Sequence, residues 1–379
     1  MATNFHQFVS LLERLLMKRV FVLAVIAAIS IPSFPAFSQT SDDDEGLEET
    51  IGKLAQDAAR AYISPVVSGF GADLNSGWFH RAPWATMLGF DLEFGVVAMG
   101  AVMEDTHRRF TSDGSFRFNF NQADQLAAQA SNETGFPQTQ DAIRDAILAQ
   151  EFGVNFSGPT IVGSKAESLQ VAFPGKVINV NGSNYSLPSR AFTLPVTGIL
   201  EEAKLIPLGT FQLTLGTFLG SQFTLRYFPE VELDPKIGKF KYIGFGIQHN
   251  PLVWFGGEDA LPFELSASYF TQNLKIGTLM DASASAFGIN ASIRLGWGFL
   301  NLTPYAGFIL ESSKILWSYD YTVDTPTGQA QERIQFEAQG ENSSRIVLGA
   351  SVKILLVNVN FDVNLAKYRT FSAGVMIVI

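Results

Sequence analysis

The chain has 379 residues and no cysteine, which removes disulfide scaffolds, thiolate metal sites and cysteine nucleophiles together. Charge is scarce as well. Asp, Glu, Lys and Arg make up 16% of the residues, where a soluble domain carries about 25%. The formal charge is −10, and without a basic patch the composition points away from nucleic acid. The histidines are His6, His80, His107 and His249, and none stands in His-x-x-x-His or His-Glu-x-x-His spacing. Neither a metal nor another cofactor is therefore expected. There is no Gly-x-Ser-x-Gly elbow and no phosphate or dinucleotide loop. Enzymatic activity is not the expectation, although His80 and His249 are imidazoles that a serine nucleophile could use. Past the N-terminal region, no apolar run reaches the roughly 20 residues of a membrane helix.

What the chain has in plenty is phenylalanine and glycine, 33 of each, in a composition that is 47% hydrophobic. The apolar residues alternate with small or polar ones. Val357, Val359, Phe361, Val363 and Leu365 share one face, and Asn358, Asn360, Asp362 and Asn364 the other. Phe287, Ile289, Ala291, Ile293, Leu295 and Trp297 oppose Gly288, Asn290, Ser292, Arg294 and Gly296. A strand turns successive side chains to opposite sides, so each segment has one greasy and one wettable face. Segments of about ten residues repeated in this way mark a transmembrane β-barrel, with lipid outside and a polar lumen inside. Its strands satisfy one another's backbone groups, so no apolar helix is needed.

At the N-terminus, Lys18 and Arg19 precede an apolar run over residues 20–31, which Pro32 and Pro35 end. Ala36-Phe37-Ser38 then offers small residues for cleavage, so residues 1–38 read as a secretory signal peptide. An acidic tract begins at Asp42. Leu47, Ile51, Leu54, Ala58 and Tyr62 follow at helical spacing, and Pro65 is expected to stop that amphipathic helix. The helix either caps the periplasmic mouth or enters the lumen, the former being the plainer expectation. Residues 39–85 thus form a lead-in to a barrel over residues 86–379.

Leu88, Phe90, Leu92, Phe94 and Val96 make the first outward face, opposed by Gly89, Asp91, Glu93 and Gly95. Residues 121–207 break the rhythm. Residues 123–130 and 141–150 look helical, and an Asn181-Gly182 turn separates two stretches of β character. This insertion is either an extracellular cap or a plug in the lumen. From Leu208 the meander is regular, with nine strands to Ile379 and one more over residues 86–98. A total of about 12 is expected, with 10–14 the range and two strands drawn from the insertion. The phase flip between Ile354 and Val357 marks a tight turn. Such barrels end in the periplasm and carry their longer loops outside, which places the 317–342 connection outside. Trp84, Trp254, Trp297 and Trp317 fall at strand ends, where an interfacial aromatic girdle would sit. Gly244 and Gly246 read as bends or close lumen contacts.

The passage Asn75-Ser76-Gly77-Trp78-Phe79-His80, preceded by a helix and followed by the strand Leu88-Gly89-Phe90-Asp91-Leu92-Glu93-Phe94-Gly95, resembles an uncharacterised family of bacterial outer-membrane barrel proteins. That family is itself distantly similar to the long-chain fatty acid (FadL-type) transporters, through layout alone. The resemblance implies an N-terminal segment that enters the lumen, an opening in the barrel wall, and an apolar solute. No ligand-binding residue carries over.

The inward faces carry Asp91, Glu93, Arg226, Lys241, Glu264, Arg294, Glu311, Lys353 and Asp362. They either line a selective lumen or fill it with ion pairs. The sequence reading is therefore an outer-membrane β-barrel that passes or binds a small solute. The rival is an anchoring barrel with a packed lumen, and an outer-membrane enzyme comes third. Outer-membrane lipid and the barrel-assembly machinery are the expected partners.

Overall fold

The computed structural model describes residues 45–379 except 117, 119, 135–138, 195, 199, 202, 235–237, 258–260, 298, 326 and 327. The expected signal peptide and the start of the acidic tract lie outside the described residues. Helix α1 (Glu45–Leu74) comes first. β1 (Leu88–Val102), β2 (Arg109–Phe116), α2 (Phe120–Thr134), α3 (Gln140–Leu148), β3 (Phe152–Pro159), β4 (Leu169–Phe173), β5 (Lys176–Val180), β6 (Ser183–Leu187) and β7 (Arg190–Leu194) follow. The rest is strand: β8 (Leu205–Phe218), β9 (Ser221–Asp234), β10 (Gly238–His249), β11 (Glu264–Ile276), β12 (Met280–Ser292), β13 (Leu295–Trp297), β14 (Leu300–Thr325), β15 (Gly328–Gln339), β16 (Ser344–Ile354), β17 (Val357–Leu365) and β18 (Thr370–Val378).

The chain forms two compact units. Of the described residues, one holds Val66–Met103 and Ala203–Ile379; the other holds residues 45–65 and Glu104–Glu202. The first is a 12-stranded antiparallel sheet in the order β12-β11-β10-β9-β8-β1-β18-β17-β16-β14-β13, with β15 beside β14 and a further pairing of β12 with β14. That last pairing closes the sheet. Ten strands form the wall, β13 prolongs β12 along β14, and β15 pairs the far half of β14. The insertion supplies no wall strand, contrary to expectation. The 317–342 connection is largely the β14–β15 hairpin rather than a loop. Leu355 and Leu356 make the expected tight turn, Leu355 taking φ +55°.

Helix α1 runs through Pro65 to Leu74 instead of stopping. Proline costs a helix one hydrogen bond, but the following turns are buried on every side. Val66, Val67, Phe70, Ala72 and Leu74 are all inaccessible or nearly so. Packing outweighs the local penalty.

Polarity along β11 and β12 inverts once. In β12, Phe287 and Ile289 face out while Asn290 and Ser292 are buried. Before Ala286 the order is reversed, with Met280, Ala282 and Ala284 buried and Asp281 exposed. β11 does the same, with Leu274 and Ile276 buried above Ser266 and Ser268. Along these strands the end of the barrel that carries the C-terminus thus has an apolar outside and a polar inside, and the opposite, distal end is apolar within. An apolar exterior belt around a polar interior is the arrangement of a lipid-embedded barrel.

The second unit has its own core. β2, β3, β4 and β7 form a four-stranded sheet and β5–β6 a hairpin across Asn181 and Gly182, both with positive φ. Phe118, Phe152 and Phe173 meet edge-on or tilted, and Ile143 and Ile147 of α3 are fully buried.

Candidate functional site in the barrel lumen

The lumen is occupied by the chain's own residues 66–85. Gly69 lies against Ile206 and Ala101, and Gly71 against Ser313. Asn75 Nδ2 donates to the Ser312 carbonyl at 3.3 Å and its Oδ1 accepts from Gln272 at 3.1 Å. The Ser76 hydroxyl lies 2.6 Å from that of Thr370, and Arg345 donates to Ser76 Oγ at 2.8 Å. Arg226 donates to the Ser76 carbonyl at 2.9 Å and to Gln212 at 2.9 Å. Its guanidinium also sits 4.1 Å from the centre of the Trp78 ring. Trp78 stacks on Phe270 at 4.9 Å, and Phe79 meets Tyr305 edge-on. These partners come from β1, β8, β9, β11, β14, β16 and β18, so the segment is surrounded by wall. The Gly-rich passage has a steric reason: glycine at 77 lets the backbone approach Val97 and Ser372, where a Cβ would come within 2.8 Å. The plainer expectation, a helix lying across the mouth, is corrected for residues 66–74.

At the C-terminal end of the barrel the segment is held by charge. Arg81 pairs with Asp91 and, at 2.7 Å, with Glu93. His80 Nε2 lies 3.1 Å from the other oxygen of Glu93. Burying both carboxylates is tolerable only because the Arg81 guanidinium of the lumen segment meets them both.

The nine charged residues read as inward-facing fall out as follows. Asp91, Glu93, Arg226, Glu311 and Asp362 are buried on the lumen side. Glu311 lies 3.4 Å from Arg345, and Asp362 accepts from Tyr305 at 3.0 Å. Glu264 is half-buried and accepts from Asn250. Arg294 and Lys353 stand at the mouth, Arg294 exposed and donating to Asn301 at 3.0 Å. Lys241 does not belong with them. It is exposed and shares the outer face with Phe245 and Ile247, because β10 keeps one alternation from Lys241 to its end. It lies opposite Lys275 near the strand's distal end, where the long stem can cover apolar surface and the ammonium reach water.

Sequence reasoning missed Arg81, Arg345 and Gln212. The last two sit at inward positions of regular strands and were legible there; Arg81, in a non-repeating segment, carried no periodic signal. The tryptophan girdle also needs correcting. Trp317 is buried, and Trp84 lies under the guanidiniums of Arg81 and Arg294, at 5.6 and 5.0 Å. Trp254 is exposed as expected, and the Trp297 side chain lies outside the described residues.

One serine–histidine pair is close. Ser221 Oγ lies 2.9 Å from His249 Nδ1, while His249 Nε2 accepts from the Trp254 indole at 3.2 Å. An acceptor at Nε2 in neutral imidazole puts the proton on Nδ1, so His249 donates to Ser221. A general base must do the opposite. Among the described residues no group of three or more His, Asp or Glu could hold a metal ion.

A family model described as a family of unknown function (DUF6588) matches residues 17–379. No curated protein matches the sequence. Among solved structures, a loop-deleted OmpT, an outer membrane protein of Vibrio cholerae, is 11% identical, with 77% of this chain and 99% of that one covered and a TM-score of 0.21. The β domain of the Bordetella autotransporter BrkA is 10% identical over 75% and 98% of the two chains, with a TM-score of 0.19. A porin refined at 1.8 Å is 11% identical over 77% and 100%, with a TM-score of 0.18. With superpositions this loose, the closed barrel rests on the strand pairing of the chain itself.

Proposed function

This chain belongs to the DUF6588 family of unknown function, and on that premise we propose that it is an outer-membrane β-barrel kept closed by its own lead-in segment, serving as an envelope anchor rather than an open pore. The observation behind this reading is the lumen itself. Residues 66–85 fill it, Trp78 and Arg226 are 2% and 0% exposed, and the contacts run right around the wall. The exposed belt of Phe94, Phe245, Phe287, Ile289, Phe308, Leu348 and Phe361 supports the membrane location and a lipid partner. The regular C-terminal strand β18 is the element that barrel-assembly machinery would engage. What the anchor would present is the separately folded unit containing residues 104–202.

A second reading, passage of a small solute, is favoured by the polar character of the contacts between segment and wall. Hydrogen bonds can be exchanged for water at little net cost. The fatty acid transporter resemblance implied two features. An N-terminal segment in the lumen is present, whereas each of the ten wall strands pairs with both of its neighbours among the described residues, so no gap between two strands offers an apolar solute a way through.

Planar-bilayer recording of the folded full-length protein tests the proposal. Silence is expected, with steady single-channel steps in a Trp78→Ala/Arg226→Ala variant. Steady conductance from the unaltered protein would overturn the closed-anchor reading in favour of the conduit.

A further inference from the structure

We propose that the mouth at the C-terminal end of the barrel binds a phosphate group, held by Arg294, Lys353 and Arg81 beside Trp84. Three chain segments bring these cations together. Arg81 closes the lead-in segment, Arg294 follows β12, and Lys353 ends β16. Arg294 donates Nε to Asn301, and Asn301 is the cross-strand partner of Lys353. Arg81 and Arg294 both lie over the Trp84 ring, at 5.6 and 5.0 Å. Arg81 and Arg294 in turn both repel Lys353, and Glu93 attracts it.

The nearby carboxylates match this set in number but not in place. Asp91 and Glu93 are taken up by Arg81, and Glu93 also faces His80. Glu264, at the same end of the barrel, is engaged by Asn250. Among the described residues, Arg294 and Lys353 have no carboxylate partner within salt-bridge distance, and Arg81 Nη1 is buried without an acceptor. Gathering like charges costs free energy that a bound anion offsets. Donors from three chain segments suit a tetrahedral group with three or more oxygens better than a planar carboxylate with two.

The phosphate has two possible sources, a lipid headgroup or the free anion. The neighbours of each cation favour the lipid. Leu295 follows Arg294, and Ile354, Leu355 and Leu356 follow Lys353, all exposed to the outside. A headgroup at the mouth would leave its chains on that apolar rim.

The test uses full-length folded protein in phosphate-free neutral detergent. Native mass spectrometry and the midpoint of heat-modifiable gel mobility are read with inorganic phosphate, with short-chain phosphatidylglycerol, and with a phosphate-free diacylglycerol of the same chain length. The expected result is one phosphatidylglycerol retained per chain and a raised midpoint. The diacylglycerol gives neither. Arg294→Gln/Lys353→Gln weakens retention by about tenfold or more, as lost hydrogen bonds to a charged group should. Lys353→Arg keeps it. Equal binding of inorganic phosphate identifies the free anion as sufficient, and binding of phosphatidylglycerol alone identifies the headgroup. No binding of either phosphate probe, or unchanged retention in the double variant, overturns the proposal. Should the double variant not fold, Lys353→Gln against Lys353→Arg decides: equal retention in both overturns it.

Discussion

At position 246 a methyl group has nowhere to go. An added Cβ would meet the Phe270 ring at 2.6 Å and Trp78 at 3.2 Å, and at Gly244 it would meet Trp78 at 2.9 Å. These two glycines are inward positions of β10 made flat so that an indole can lie on them. Gly246→Val should therefore lower stability by about 1–3 kcal/mol, the usual cost of overpacking, or lift Trp78 from its seat. Urea unfolding in bilayers reads the first outcome and planar-bilayer steps the second; a variant as stable and silent as the parent would contradict the packing described. Trp78→Ala removes the stacking on Phe270 and the platform under Arg226. A loss of about 3–5 kcal/mol is expected in the same assay. Arg226→Met should cost less than Arg226→Ala, because both delete the charge and only Met fills the space; a reversed order would show that the site does not accept the thioether in place of the guanidinium.

In a single strand, β12, the lipid boundary can be read between Ser285 and Phe287. Ile289→Arg puts a charge on the apolar belt and should cost about 2–4 kcal/mol, whereas Ser283→Arg, on the same face beyond the inversion, should cost about 1 kcal/mol or less. Equal penalties would mean that the belt ends elsewhere. The β14–β15 hairpin makes a second test. β12 pairs with β14 from Tyr305 to Trp317, and β16 pairs with Leu300 to Leu310. Closure needs nothing beyond Trp317. Replacing residues 319–336 with a short turn should leave heat-modifiable mobility intact, and its loss would show that the hairpin takes part in closure.

The barrel unit is a ring of ten paired strands around residues 66–85. Its closed state depends on stacking at Trp78, neutral hydrogen bonds at Asn75, guanidinium hydrogen bonds from Arg226 and Arg345 at Ser76, and ion pairs at Arg81. Only the last sets a cation of the segment against carboxylates of the wall. Asp91→Asn/Glu93→Gln should leave the barrel folded and free the residues around Arg81, read as faster cleavage by trypsin after Arg81. Unchanged cleavage would show that the stacking alone holds the segment. The nonadditive part of a Trp78→Ala, Asp91→Asn cycle would measure how far the two anchors act as one.

The wall was legible in the chain because lipid and lumen impose a period-two contrast wherever a strand crosses the membrane. The nine wall strands from β8 onward, β1, and the turn at Leu355 all follow from that contrast, while the helices and the Asn181-Gly182 hairpin of the other unit were legible from helical spacing and turn chemistry. The signal weakens where the strands leave lipid. Ala282 and Ala284 against Asp281 and Ser283 form as regular a strand as Phe287 onward, yet with small residues inside and polar ones outside the contrast is faint. Lys241 was misplaced for a related reason: a charge on the outer face reads as inward until the strand's end is known to rise past the belt. What lies in the lumen was decided by tertiary structure alone. Residues 66–85 follow no single period, since wall surrounds them on all sides, and a segment buried all round has no exposed face to pattern its sequence. For the same reason the cations of the mouth, from three distant parts of the chain, are brought together only by closure of the sheet.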